Sequence, residues 1–137
     1  MTSLFEAAAE CLAAADPGEK VALTHRHAAA LARGELHIPA DAPPPAPIRM
    51  PGRPPRPRLV HPRELPRRGL GSDEGRAAFL HAIAHIELNA IDLGWDAVYR
   101  FRGLPEGFYR DWAQVADDEA RHFVLLRLSL IHISEPT

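Results

Sequence analysis

Eleven of the fourteen prolines fall between Pro39 and Pro66, in PADAPPPAPIRMPGRPPRPRLVHPRELP. Proline removes a backbone donor, fixes φ and disfavours helix at the residue before it, so this stretch excludes regular helix and central strand. It reads as an extended connector with polyproline II character. The connector also carries Arg49, Arg53, Arg56, Arg58, Arg63, Arg67 and Arg68, with little acid nearby. One reading is a solvated strap over an acidic helical body; the other is an arm for RNA or an acidic protein partner. The strap is favoured, because no aromatic side chains are interleaved to stack bases. The whole-chain balance of 16 basic to 18 acidic residues also argues against a nucleic-acid partner.

Four parts follow from that division: an N-terminal helical pair (1–37), the connector (38–70), a long helical segment (71–127) and a tail (128–137). A length of 137 residues suits one core rather than two. No apolar run reaches the roughly 20 residues that span a bilayer, so no membrane association is expected. The start, Met1 to Glu6, lacks the basic and apolar regions of a signal peptide. Cys11 is the single cysteine, which excludes an intrachain disulfide and any cysteine cage for zinc or iron–sulfur. A cytoplasmic setting is the expectation.

The fold expected is all-α. Ser3–Glu6 and Asp16–Glu19 both match a capping box, Pro17 suits the first helical position, and Gly34 is a plausible stop. Cys11 reads as a small core residue, and His25 and His27, two apart on a helix, are assigned no site. After the connector, Ser72, Asp73 and Glu74 mark a helix start, with the helix running to about Phe101. Phe101 to Pro105 is a turn, and a second long helix covers roughly Glu106 to Arg127.

At 100° per residue, Glu87 lies amid an apolar stripe of Leu80, Ile83, Ala84, Ile91, Gly94 and Val98, all within about 60° of it. His81, His85, Asn89, Asp92, Asp96 and Arg100 fall on the opposite, polar side. On the second helix Glu119 and His122 share a face with Phe108, Trp112, Val115, Ala116, Phe123 and Leu126, while Arg110, Gln114, Asp117 and Arg121 lie opposite. A carboxylate buried without a partner is costly, so Glu87 must be protonated, paired or bound to a metal. Glu119 and His122 are one turn apart as Glu-x-x-His, which lets both reach one ion. Fourteen residues, about 21 Å, separate Glu87 from the turn, and thirteen, about 20 Å, lead back up to Glu119. In an antiparallel hairpin the three meet. The alternative is a Glu87–His122 ion pair that only fixes helix register. His85 is about 160° from Glu87 and cannot share its ion, and Trp112 and Tyr109 are expected in the core.

Dinuclear carboxylate bundles use one Glu from each of two helices and a Glu-x-x-His from each of two others; Glu87, Glu119 and His122 make half of that set. The run RAAFLHAIAHIELNAIDLGWDAVYRFRGLPEGFYRDWAQVADDEARHFVLLR (Arg76 to Arg127) resembles a bacterial ferritin-like family labelled a domain of unknown function. The ferritin-like group includes di-iron oxidases, rubrerythrins and a tRNA-modifying hydroxylase. The resemblance implies a helical hairpin forming half of a ferritin-like four-helix bundle, with Glu87, Glu119 and His122 as ligands to iron, as a di-iron centre, or to manganese. It also implies dioxygen and an unidentified substrate as reaction partners of an oxygen-activating oxidoreductase, with the other half of the site on two further helices. The chain as it stands is expected to be inactive unless two copies pair their hairpins, as a homodimer, into a four-helix core. No catalytic residue is assigned. The rival function is a helical scaffold whose Arg-rich connector contacts RNA or a protein partner. The tail LSLIHISEPT resembles the in-frame translation of a sequencing-library adapter and is set aside as non-native, leaving the chain as a fragment of a longer parent.

Overall fold

A computed structural model describes residues 2–48, 50–52 and 71–134, and the described part is all-helical. Helix α1 spans Leu4–Ala13, α2 Pro17–Ala32, α3 Asp73–Arg100 and α4 Glu106–Ser134. The connector between α2 and α3 is non-helical wherever it is described, as its prolines require. Its arginines lie outside the described residues, and with them the strap reading.

Local chemistry sets most of the helix ends. Asp16 accepts from Glu19 N at 2.9 Å, and Pro17 occupies the first turn of α2. Ser3 caps α1 by accepting from Phe5 N rather than from Glu6, so the full reciprocal box expected there is not formed. Gly34, at φ +73°, closes α2 in the left-handed region, and Glu35 N donates back to Ala30 O. The end of α2 also draws on α4, where Arg110 donates to Leu31 O at 3.1 Å. Ser72 caps α3 through Gly75 N. Between α3 and α4, Gly103 takes φ +71°, and Tyr109 Oη donates to Phe101 O while accepting from Leu104 N.

Helices α3 and α4 form the antiparallel hairpin. They approach closely where Gly94 faces Ala116: a Cβ on Gly94 would stand 3.0 Å from the Ala116 Cβ and 3.1 Å from the Trp112 carbonyl oxygen. The small side chains Ala113, Ala116 and Ala120 are all buried along this seam. One side of the hairpin is covered by the N-terminal pair, α1 on α3 and α2 on α4. Leu4, Phe5, Ala8, Cys11 and Leu12 meet Ile91, Trp95, Val98 and Tyr109 in one core, with Phe5 edge-on to Tyr109 at 5.6 Å. The connector begins on this assembly: Tyr99 Oη donates to Ala46 O, and Gly52 N donates to Leu12 O at 2.7 Å. Gly52 sits so close that a Cβ there would fall 2.3 Å from Ala13 O.

Three placements differ from the sequence reading. Asp92 and Asp117, expected on polar faces, are buried at 3% and 6% exposure, because α1 and α2 cover those sides of the hairpin. Trp112, expected in the core, is exposed on the uncovered side. Helix α4 also continues seven residues past Arg127, since Phe123, Leu126 and Leu130 keep helical spacing and Leu130 is buried.

Candidate metal centre

Glu87 on α3 and Glu119 and His122 on α4 converge. One ligand atom from each lies within 4.8 Å of the others, the one such group of three among the described residues. His122 Nδ1 stands 3.4 Å from Glu119 Oε2 and 3.7 Å from Glu87 Oε2. Glu87 Oε2 is buried and accepts no hydrogen bond among the described residues. A desolvated carboxylate oxygen without a donor is costly, and a cation seated between the three groups removes that cost. Two carboxylates and an imidazole are a hard-to-borderline donor set, which suits iron or manganese. The residues present therefore fit a divalent transition-metal ion.

Their burial is uneven. The side chains of Glu87, Glu119 and His122 are 19%, 25% and 55% exposed. The sequence reading put all three on a buried face; instead they line the border between the covered and uncovered halves of the hairpin. The apolar arc of α3 is wider than one partner can cover. Trp95 and Leu88, buried, lie about 80–100° to one side of Glu87, while Phe79, Ile86 and Leu93, exposed, lie about 80–120° to the other. Glu87 divides the two. On α4, Trp112 and Val115 continue the exposed apolar surface beside Glu119.

His81 and His85 do not join the cluster. They line a separate, largely apolar cleft of about 210 Å³ with Pro17, Leu88, Phe123 and Arg127.

A second polar group was not anticipated from sequence. Lys20, fully buried, donates to Asp92 Oδ1 at 2.5 Å and to the carbonyls of Cys11 and Leu12. Beside it Trp95 Nε1 donates to Thr24 Oγ1 at 3.0 Å. His25, assigned no role, pairs with Asp117, which also accepts from Arg121, and buried His27 stands 3.4 Å from Glu10. Only half of the signal was present: Lys20 shares a helical face with Leu23, Thr24, His27 and Leu31, whereas Asp92 falls on the polar side of α3 with His85 and Asp96. A charge set among apolar neighbours needs a partner from another element, and the fold supplies Asp92. Cys11 behaves as the core residue expected: burial pushes its thiol up to about 12, outweighing the Thr24 hydrogen bond that lowers it.

Residues 13–134 match the family described as protein of unknown function (DUF455), and the chain belongs to that family. The match runs through Leu128 to Ser134, the part of the tail that continues α4. An uncharacterised protein of Haemophilus influenzae (strain ATCC 51907 / DSM 11121 / KW20 / Rd) is 50% identical over 80 residues, 53% of this chain. The matched region spans 28% of that relative's length. No solved structure matches the chain. None of the described helices is long and apolar enough to cross a membrane.

Proposed function

We propose that this chain carries half of a non-haem dinuclear carboxylate centre of the ferritin-like type, holding iron or manganese, in an oxygen-activating oxidoreductase. The observation behind the reading is the meeting of Glu87, Glu119 and His122, with a buried Glu87 oxygen that lacks a hydrogen-bond donor. When bound, the metal supplies redox chemistry toward dioxygen, which amino-acid side chains cannot supply. The chain's own residues do the holding. Glu119 and His122, one turn apart on α4, present two donors from a rigid helix, and Glu87 closes the set from α3. Glu87, the most buried of the three, is best placed to keep its ligand atom away from water. His122 is the most exposed of the three, at 55%.

Metal titration tests the reading. Purified chain stripped with chelator is titrated with Mn²⁺, or anaerobically with Fe²⁺, and followed by calorimetry and elemental analysis. About one ion per chain is expected, with affinity falling at least tenfold in Glu119→Ala and helical content unchanged. Second-sphere changes alone cost 10–100-fold at such sites, so loss of a direct ligand must be readily measured. A chain that takes up neither ion, and is equally stable with and without Glu119, favours the rival scaffold reading.

A further inference from the structure

The cleft of about 210 Å³ between the start of α2 and the helices α3 and α4 is lined by none of the metal candidates. Its lining sorts by polarity. Ala84, Leu88 and Phe123 are buried and form an apolar floor, while the exposed side chains of His81 and Arg127 stand at the rim. The register that sets Gly94 against Ala116 also sets His81 about level with Arg127, so the two polar groups reach the cleft from opposite helices at one end. Leu88 lies two turns further along α3, towards the other end. The Arg127 guanidinium stands 5.8 Å from the Phe123 ring centre, which holds its charge over the floor. Among the described residues neither Arg127 nor His81 makes an ion pair or a hydrogen bond, and no carboxylate lines the cleft. Asp16, which like Arg127 lies near Gly18, is taken up in capping α2.

Size and charge together define what fits. One turn of α-helix, about 10 Å across and 5.4 Å tall, fills roughly 400 Å³, so the cleft is too small for a helix of any partner. An apolar cavity of about 150 Å³ holds benzene, so 210 Å³ suits a tail of about eight carbons. A hydrocarbon tail asks no hydrogen bond of the floor, and an anionic head takes its donors from the rim. We propose that this cleft is a binding site for a small amphipathic monocarboxylate, its tail on Ala84, Leu88 and Phe123 and its carboxylate between Arg127 and His81. The site is distinct from the metal candidates and does not depend on the metal reading.

The test is calorimetric titration of the full 137-residue chain, in chelator so that no metal can hold the carboxylate, with octanoate, 1-octanol and octylammonium. Octanoate should bind saturably, one per chain. It should bind roughly tenfold or more tighter than either of the others, the worth of a charge-assisted hydrogen bond. Hexanoate should bind about tenfold more weakly than octanoate, since each buried methylene is worth roughly fourfold. Arg127→Gln alters an exposed residue, so it should keep full helicity, weaken octanoate by about tenfold and leave 1-octanol unchanged. Ala84→Leu, which fills the floor, should weaken both. Equal affinity for octanoate and 1-octanol, or indifference to Arg127→Gln, overturns recognition of the carboxylate. Tighter binding of octylammonium overturns the sign of the charge. Absence of saturable binding by all three overturns the site, and each of these results leaves the metal reading standing.

Discussion

Lys20 is a single cation inside an alanine-rich helix pair, and its environment is dry: no part of it is exposed, and Asp92 and two main-chain carbonyls receive its protons. Such a pair is weak evidence for stability as a whole, because desolvation offsets the attraction, yet breaking it from one side leaves an uncompensated charge. Lys20→Met should therefore lower the unfolding free energy by roughly 3–5 kcal/mol in a urea titration. The double change Lys20→Met with Asp92→Leu should recover much of that loss, since neither charge then remains. Equal destabilisation by single and double variants would show that the pair contributes packing and no electrostatic specificity. The Glu87 site poses the opposite problem. Its acid meets a histidine at 3.7 Å, beyond hydrogen-bond range, and no main-chain donor.

At the scale of helices, the α3–α4 seam determines whether the metal candidates meet. Gly94 costs helix propensity of about 1 kcal/mol relative to alanine, so its place mid-helix calls for a packing reason. That reason is the approach of α4: two of the three nearest atoms to a notional Cβ are main-chain atoms, Ala116 N and Trp112 O, which cannot rotate aside. Gly94→Val should separate the helices and cost about 1–3 kcal/mol, despite removing a glycine from a helix. Thermal unfolding followed by circular dichroism measures this, and a stabilised variant would contradict the tight seam. The cap of α3 at Ser72 and the turn at Phe101 to Pro105 follow from sequence spacing, whereas the Tyr109 bonds across that turn emerge only in the fold. The length of α4 was harder to read. Setting the adapter-like tail aside stops the helix at Arg127, whereas the helical spacing of Leu126 and Leu130 carries it on to Ser134.

For the whole molecule, the N-terminal pair is structural cover rather than an appendage. Trp95 is completely buried, with Thr24 of α2 as its hydrogen-bond partner, while Trp112 is partly exposed. Deleting residues 1–37 uncovers Trp95, Ile91 and Val98 and leaves Asp92 without Lys20. Burial of side chains of that class is worth roughly 1.5–3 kcal/mol each, so the hairpin alone should lose its cooperative transition. Tryptophan emission should shift to longer wavelength and helical content should fall. A truncated hairpin with native emission and a sharp transition would show that the pair is dispensable. The deletion leaves Glu87, Glu119 and His122 in the chain, so any loss of metal binding would report on the scaffold beneath them.

Local rules alone determined much of this protein. Proline density placed the connector, caps and glycines placed most helix ends, and helical spacing brought Glu87, Glu119 and His122 to one height, because these depend on residues within a few turns of each other. Which side of each amphipathic helix is covered is not a local property. The arc on α3 offers more apolar surface than α1 and α4 occupy, and only docking decides that Asp92 goes inside with Lys20 while Ile86 and Leu93 stay outside. A buried charge needs a partner from another element, and an apolar stripe wider than its contacts leaves an open flank. Those two facts, settled by tertiary packing, turn a row of polar residues into a buried ion pair on one side of the hairpin and a half-open metal candidate on the other.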